Sequence, residues 1–219
     1  MNFNYQKLRD FMVENQLRPN KINDQEILEV FKSTPKEIFL PDKMKKISYA
    51  DLDLNLVKNR GYLKNLHIAQ LIYHSKIQHD YKILHIGGMT GYVSIMLTKL
   101  CKFLFVTEND KKLIIELKKN MRDLNVNNIE IINTQLDQGY EEHSPYDLIF
   151  IDTPINELSE TIKDQVSSQS GRIIMIQKYN SYLSKAYKIT KNNNLYSKDY
   201  LFDVFSTYEL YKHKEKFVF

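Results

Sequence analysis

Hydrophobic and polar positions change period several times along the chain, and each change marks an element. Tyr5, Leu8, Phe11, Met12 and Leu17 recur every three to four residues, which predicts an amphipathic helix over 5–16, stopped by Arg18-Pro19-Asn20. Asn23 with Glu26 three residues later reads as a capping box for a second helix with Ile27, Leu28, Val30 and Phe31 on one side. Thr34-Pro35-Lys36-Glu37 repeats the signal: Thr34 as cap, Pro35 at the first helical position and Glu37 reaching back, for a short helical turn ended by Pro41. The pattern over 42–60 is irregular, with 49–54 as an ordered loop or short strand. Leu66, Ala69, Leu71, Ile72 and Tyr73 then return to helical spacing behind Asn65, the expected cap.

From residue 82 the pattern alternates. Apolar runs at 82–86, 103–106, 129–132, 147–151 and 172–176 predict strands, and helical spacing fills the gaps: Val93, Met96, Leu97 and Leu100; then Leu113, Leu117 and Met121; then Ile155, Leu158 and Ile162. Parallel neighbours need right-handed crossovers, so this alternation implies an open α/β sheet with helices on both faces. The tail differs, with antiparallel strands expected at 187–190, 200–205 and 217–219 and a turn at 191–194.

Three of the 6 glycines, Gly87, Gly88 and Gly91, fall in the turn between the first of these strands and its helix. A helix that starts straight after such a loop points unpaired N–H groups back at it, which suits a carboxylate or phosphate. A tight connection without a ligand is the competing reading, and the neighbourhood has to decide. Ligands of such sheets lie outside the carboxyl ends of the strands at the switch point, where Glu108 ends the second strand. A carboxylate there can accept both hydroxyls of a ribose; alternatively it is a solvent-facing acid starting a helix. The dinucleotide pattern Gly-x-Gly-x-x-Gly is broken by Met89 and Tyr92, which argues against hydride transfer.

Composition narrows the classes further. With 219 residues and 42% hydrophobic content the chain is expected to form one domain: a helical extension over 1–76, an α/β core over 77–178 and antiparallel strands over 179–219. The net charge of +4 comes from scattered lysines, and no basic stripe interleaved with aromatics points to nucleic acid. Cys101 is the sole cysteine, so no disulfide framework or thiolate cluster is expected, and the 6 histidines lack paired ligand spacing; no metal is expected. No apolar run is long enough to cross a membrane or to start the chain as a signal peptide, which makes a cytoplasmic protein the default expectation.

Several segments together carry a family resemblance: Met12-Val13-Glu14-Asn15-Gln16-Leu17-Arg18-Pro19, Pro35-Lys36-Glu37-Ile38-Phe39-Leu40-Pro41, Tyr49-Ala50-Asp51, the glycine loop, Glu108, Pro145-Tyr146-Asp147 and Ser170-Gly171-Arg172. With these, the chain resembles the protein-L-isoaspartate O-methyltransferases, within the S-adenosylmethionine-dependent methyltransferases, as a divergent bacterial member. The resemblance implies an α/β fold: a doubly wound, mainly parallel seven-stranded methyltransferase (Rossmann-like) sheet with an N-terminal helical extension. It implies S-adenosyl-L-methionine as cofactor, held by His85, Gly87, Gly88, Met89, Gly91, Glu108, Gln135 and Leu136. It also implies a protein or peptide substrate with isoaspartyl residues, met near Tyr62, Leu63 and Asn65, and repair methylation of its carboxylate. The chain departs from the family pattern at His85 in place of an acidic residue, at Met89 in place of a small one, at Gln135 in place of an aspartate and at Leu63 in place of a serine. Met89 would narrow the cofactor cleft, and Leu63 removes a hydroxyl from the substrate side.

Methyl transfer from a sulfonium to a carboxylate needs no side-chain base, because a carboxyl with pKa near 4 is already ionised at neutral pH. No side chain is therefore identified as catalytic, and positioning carries the expected rate enhancement. Two other functions remain open: a non-enzymatic relative serving as a binding module, and a methyltransferase of the same fold for another acceptor.

Overall fold

The computed structural model describes residues 4–211, so the strand expected at 217–219 lies outside the described residues. Helix α1 (Tyr5–Met12) is capped by Asn4, whose side chain accepts from the Lys7 N–H, and it runs on into a π-helical turn (Val13–Leu17) and a 3-10 turn (Arg18–Asn20). Helix α2 (Gln25–Ser33) begins one residue later than the capping-box reading: Asp24, not Asn23, accepts from the N–H groups of Glu26 and Ile27. Thr34 does not cap either, since its hydroxyl donates to the Val30 carbonyl at 2.6 Å. The 3-10 turn Lys36–Phe39 follows instead with Pro35 at the cap position. Glu37, expected to reach back, pairs with Arg9 at 3.0 Å and accepts from the Tyr49 hydroxyl, so a buried long-range partner wins over the local one.

The stretch expected to be irregular contains helix α3 (Asp42–Lys45) and a hairpin of β1 (Leu54–Val57) with β2 (Arg60–Tyr62). Asn65 is the first residue of α4 (Asn65–Ser75) rather than its cap. Its buried amide oxygen accepts from Lys36 Nζ at 2.9 Å and from the Tyr92 hydroxyl at 3.3 Å.

The alternating half folds as its pattern dictates. Helices α5 (Tyr92–Thr98) and α6 (Lys111–Asp123) separate strands β3 (Lys82–Ile86), β4 (Phe103–Glu108) and β5 (Ile129–Asn133); β5 leads to β6 (Leu148–Phe150) through a stretch whose one helical piece is the 3-10 turn Glu141–His143, and α7 (Glu160–Asp164) precedes β7 (Gln169–Lys178). The helix expected around Ile155 and Leu158 is confined to α7, because Ile155 is drawn into a bridge with Gln177. β8 (Leu183–Asn192) and β9 (Leu195–Phe205) complete a seven-stranded sheet of order β5-β4-β3-β6-β7-β8-β9, parallel up to β7 and antiparallel beyond. Asn192 pairs with Leu195, so the last turn shrinks from four residues to Asn193-Asn194, with Asn193 at φ 54°.

Successive strand residues point to opposite faces and enter two separate cores. Ile83, Leu104, Leu148 and Phe150 join the N-terminal helices, α5 and α6, whereas Leu84, Phe105 and Ile149 pack with Leu158 and Ile162. Both faces are thereby covered. The order reverses between β3 and β6, which share an edge through Ile83–Leu148, and this switch point sets where a ligand crevice belongs.

Candidate cofactor site at the switch point

The glycine loop links β3 to α5 at this point. Gly87 (φ 89°) and Gly91 (φ 103°) lie in left-handed backbone that L side chains adopt at a cost. The Gly87 and Gly88 N–H groups donate to the Thr107 carbonyl at 2.9 and 3.2 Å, which ties the loop to β4. Met89 also has positive φ (53°), is 2% exposed, and donates its N–H to Glu108 Oε2 at 3.1 Å. Loop and Glu108 are thus direct neighbours, as sequence reasoning expected. Gln135 and Leu136 follow β5, whose last residue Asn133 is the register partner of Glu108; Gln135 is exposed and Leu136 buried. These residues therefore share one edge of the sheet.

His85 is held from both sides. Its Nδ1 lies 3.0 Å from Ser94 Oγ and its Nε2 3.2 Å from Asp152 Oδ1, and its ring meets Phe150 edge-on. Ser94 is fully buried inside α5, so this serine, histidine and aspartate form a packing network beneath the loop and not an accessible nucleophile.

Three groups meet the loop and Glu108: Arg60 and Leu210, which sequence reasoning missed, and Tyr62, which it expected on the substrate side. Arg60 reaches from β2 and clamps Glu108 bidentately, Nη1 to Oε1 at 2.9 Å and Nη2 to Oε2 at 2.6 Å, with both side chains buried. Glu108 accepts in addition from the N–H groups of Met89, Asn109 and Asp110. Burial pushes the Glu108 carboxyl up, but the Arg60 hydrogen bonds and charge together with the N–H donors of Asp110 and Asn109 outweigh it, and the net direction is down. The second group is the Tyr62 hydroxyl, which accepts from the N–H groups of Thr90 and Tyr92 at 3.2 and 3.1 Å and so covers the amino end of α5. The third is Leu210: a Cβ added to Gly87 would come within 2.6 Å of Leu210 Cδ1 and 3.3 Å of Arg60 Nη2.

Leu210 is brought there by the segment 206–211 that follows β9. The Glu209 N–H donates to the Asn59 carbonyl at 2.9 Å and the Leu210 N–H to the Pro154 carbonyl at 2.8 Å. Lys178 and Asn156 both hold the Glu209 carboxylate, at 3.3 and 2.7 Å.

The residues expected to face the substrate, Tyr62, Leu63 and Asn65, are 1%, 2% and 0% exposed, so they form a wall and not an open surface. Behind them Lys36 is fully buried, with Nζ 2.9 Å from Asn65 Oδ1 and 5.1 Å from the centre of the Tyr92 ring. Burial pushes the Lys36 ammonium down to about 7, and the charge of Asp53 opposes this only in part. Nothing in the local sequence singles out Lys36. Among the described residues no group of three or more His, Cys, Asp or Glu could hold a metal ion, and no helix is long and apolar enough to cross a membrane.

A mostly parallel seven-stranded sheet with a glycine loop and an acidic residue at the ends of adjacent strands defines the methyltransferase-type, Rossmann-like α/β class. One solved structure entitled protein-L-isoaspartate O-methyltransferase superposes with a TM-score of 0.78 at 20% identity, covering 93% of this chain and 65% of that one, and so shows the fold. The family model for protein-L-isoaspartate(D-aspartate) O-methyltransferase matches residues 8–205, and the chain belongs to this enzyme family. The relatives are distant. Protein-L-isoaspartate O-methyltransferase 1 of Syntrophobacter fumaroxidans is 26% identical over 172 residues (78% of this chain, 80% of the relative), and the protein-L-isoaspartate O-methyltransferase of Dictyoglomus thermophilum is 26% identical over 185 residues (84% and 83%).

S-adenosylmethionine dependence is a property of that family, and the donor types for such a cofactor are present here. In this arrangement the chain's own residues engage them. An ionised carboxylate offers about four acceptor positions, and Glu108 already takes two hydrogen bonds from Arg60 and three from backbone N–H groups. The loop is roofed by Leu210, and the Tyr62 hydroxyl meets the N–H groups of Thr90 and of Tyr92, the first residue of α5, so the chain's own groups already engage these donors and acceptors.

Proposed function

We propose that this chain transfers a methyl group from S-adenosylmethionine to the carboxylate of L-isoaspartyl residues in damaged proteins. The observation that carries the reading is the family match over residues 8–205, which includes the glycine loop and Glu108 in adjacent positions at the switch point. In this reading the loop 87–91 and Glu108 serve the cofactor, with Gln135 and Leu136 on the adenine side, and the substrate is a flexible peptide bearing an extra backbone methylene. Transfer of labelled methyl to an isoaspartyl peptide by the full chain, abolished in Glu108→Ala, is the expected result. Absence of transfer to that peptide, with the chain folded and S-adenosylhomocysteine bound, sinks it.

A specific observation favours a second reading. The Arg60–Glu108 pair and the lack of a hydroxyl at Leu63 suit a relative that has kept the fold as a binding module and lost turnover. The same assay decides: turnover at any pH between 6 and 9 removes this reading.

A further inference from the structure

Arg60, Glu108, Gly87 and Leu210 form one closed arrangement drawn from four distant parts of the chain. Its chemistry mirrors that of a nucleoside ligand: a planar donor pair meets the carboxylate where two vicinal hydroxyls would, and an apolar group lies against the glycine loop. We propose that the chain closes its own cofactor cleft, with Arg60 and Leu210 as internal stand-ins, so that an S-adenosyl compound binds only by displacing both. This rests on the methyltransferase reading of the site and adds its regulation.

The two occluders differ in how they are held. Arg60 sits on the short strand β2 and is fixed by a bidentate charge pair away from water, where such pairs are hard to open. Leu210 is fixed indirectly. It rides on the segment 206–211, whose N–H bonds reach the carbonyls of Asn59 and Pro154 and whose Glu209 is shared by Lys178 and Asn156. Asn59 belongs to the β1–β2 turn next to Arg60, so lifting the segment also frees the turn that carries the arginine. Opening is therefore expected to be concerted, and a ligand that requires the open form has its affinity lowered by the open fraction.

Calorimetry of the full chain with S-adenosylhomocysteine tests this, using the wild type, Arg60→Gln and Leu210→Ala, each with its fold checked by circular dichroism. Arg60→Gln is expected to bind roughly 100-fold more tightly than the wild type and Leu210→Ala about 10-fold more tightly. If Arg60→Gln does not fold, Leu210→Ala still decides, because it leaves the charge pair intact. Hydrogen exchange gives a second readout: at saturating S-adenosylhomocysteine the Glu209 and Leu210 amides should lose protection. Wild-type affinity equal to that of the variants, unchanged protection at saturation, or no binding by folded variants each overturns the proposal. Failure of the function reading looks different: the variants bind S-adenosylhomocysteine tightly and still methylate no isoaspartyl peptide.

Discussion

Two buried cations, Arg60 beside the glycine loop and Lys36 beside Tyr62 and Tyr92, are treated by the chain in opposite ways. Arg60 meets a carboxylate with matched geometry, both of whose oxygens it satisfies. Lys36, equally withdrawn from water, meets a neutral amide oxygen and two aromatic faces, with the charge of Asp53 only partly opposing the effect of burial. A paired charge stays charged in the interior, whereas one given only dipoles trends towards neutrality. The first arrangement locks a site and the second leaves a titratable group inside the wall beside it.

Breaking the locked side gives the largest expected effect. Arg60→Ala leaves Glu108 as a buried, uncompensated carboxylate and should cost about 3–5 kcal/mol in denaturant unfolding. Arg60→Met combined with Glu108→Leu should recover most of that loss, and a double variant as unstable as the single one would show that packing, not charge, holds the region.

The Lys36 side should respond to pH. Its folded pKa of about 7 lies below the value near 10.4 of an exposed lysine, so between those limits the unfolded chain binds the proton more tightly. This group's contribution to stability accordingly rises from pH 7 to about pH 10.4, by an amount on the order of a few kcal/mol. Lys36→Met should remove that slope. An unchanged slope in the variant would assign it to other groups.

Asn65→Ala sharpens the contrast at smaller scale. It takes from Lys36 its one close side-chain acceptor and should cost about 1–3 kcal/mol near pH 7, less at pH 10, in thermal melts at both values. The Asp24→Ala loss of a helix cap, expected at about 1 kcal/mol and far from both cations, calibrates the series.

The same contrast explains what could be read from the chain in advance. Lys82–Ile86, the glycine loop and Glu108 follow from local period and turn chemistry, and the structure brings loop and carboxylate into contact as anticipated. Asn23, Thr34 and Asn65 carry cap chemistry without capping: Asp24 takes the role beside Asn23, the Thr34 hydroxyl turns back to the Val30 carbonyl, and Asn65 meets Lys36 from a distant part of the chain. Arg60 lay in a stretch with no period at all, and its partner is 48 residues away.

By itself, the sequence determined the main strands and helices, the two-faced sheet and the meeting of the glycine loop with Glu108, because hydrophobic period and glycine placement act within a few residues. Tertiary structure alone decided what packs against them. Arg60 comes from a hairpin before the sheet and Leu210 from the segment after it, and only the folded sheet sets both against Glu108 and Gly87. Charge pairing and close packing depend on distance in space, which local pattern does not encode.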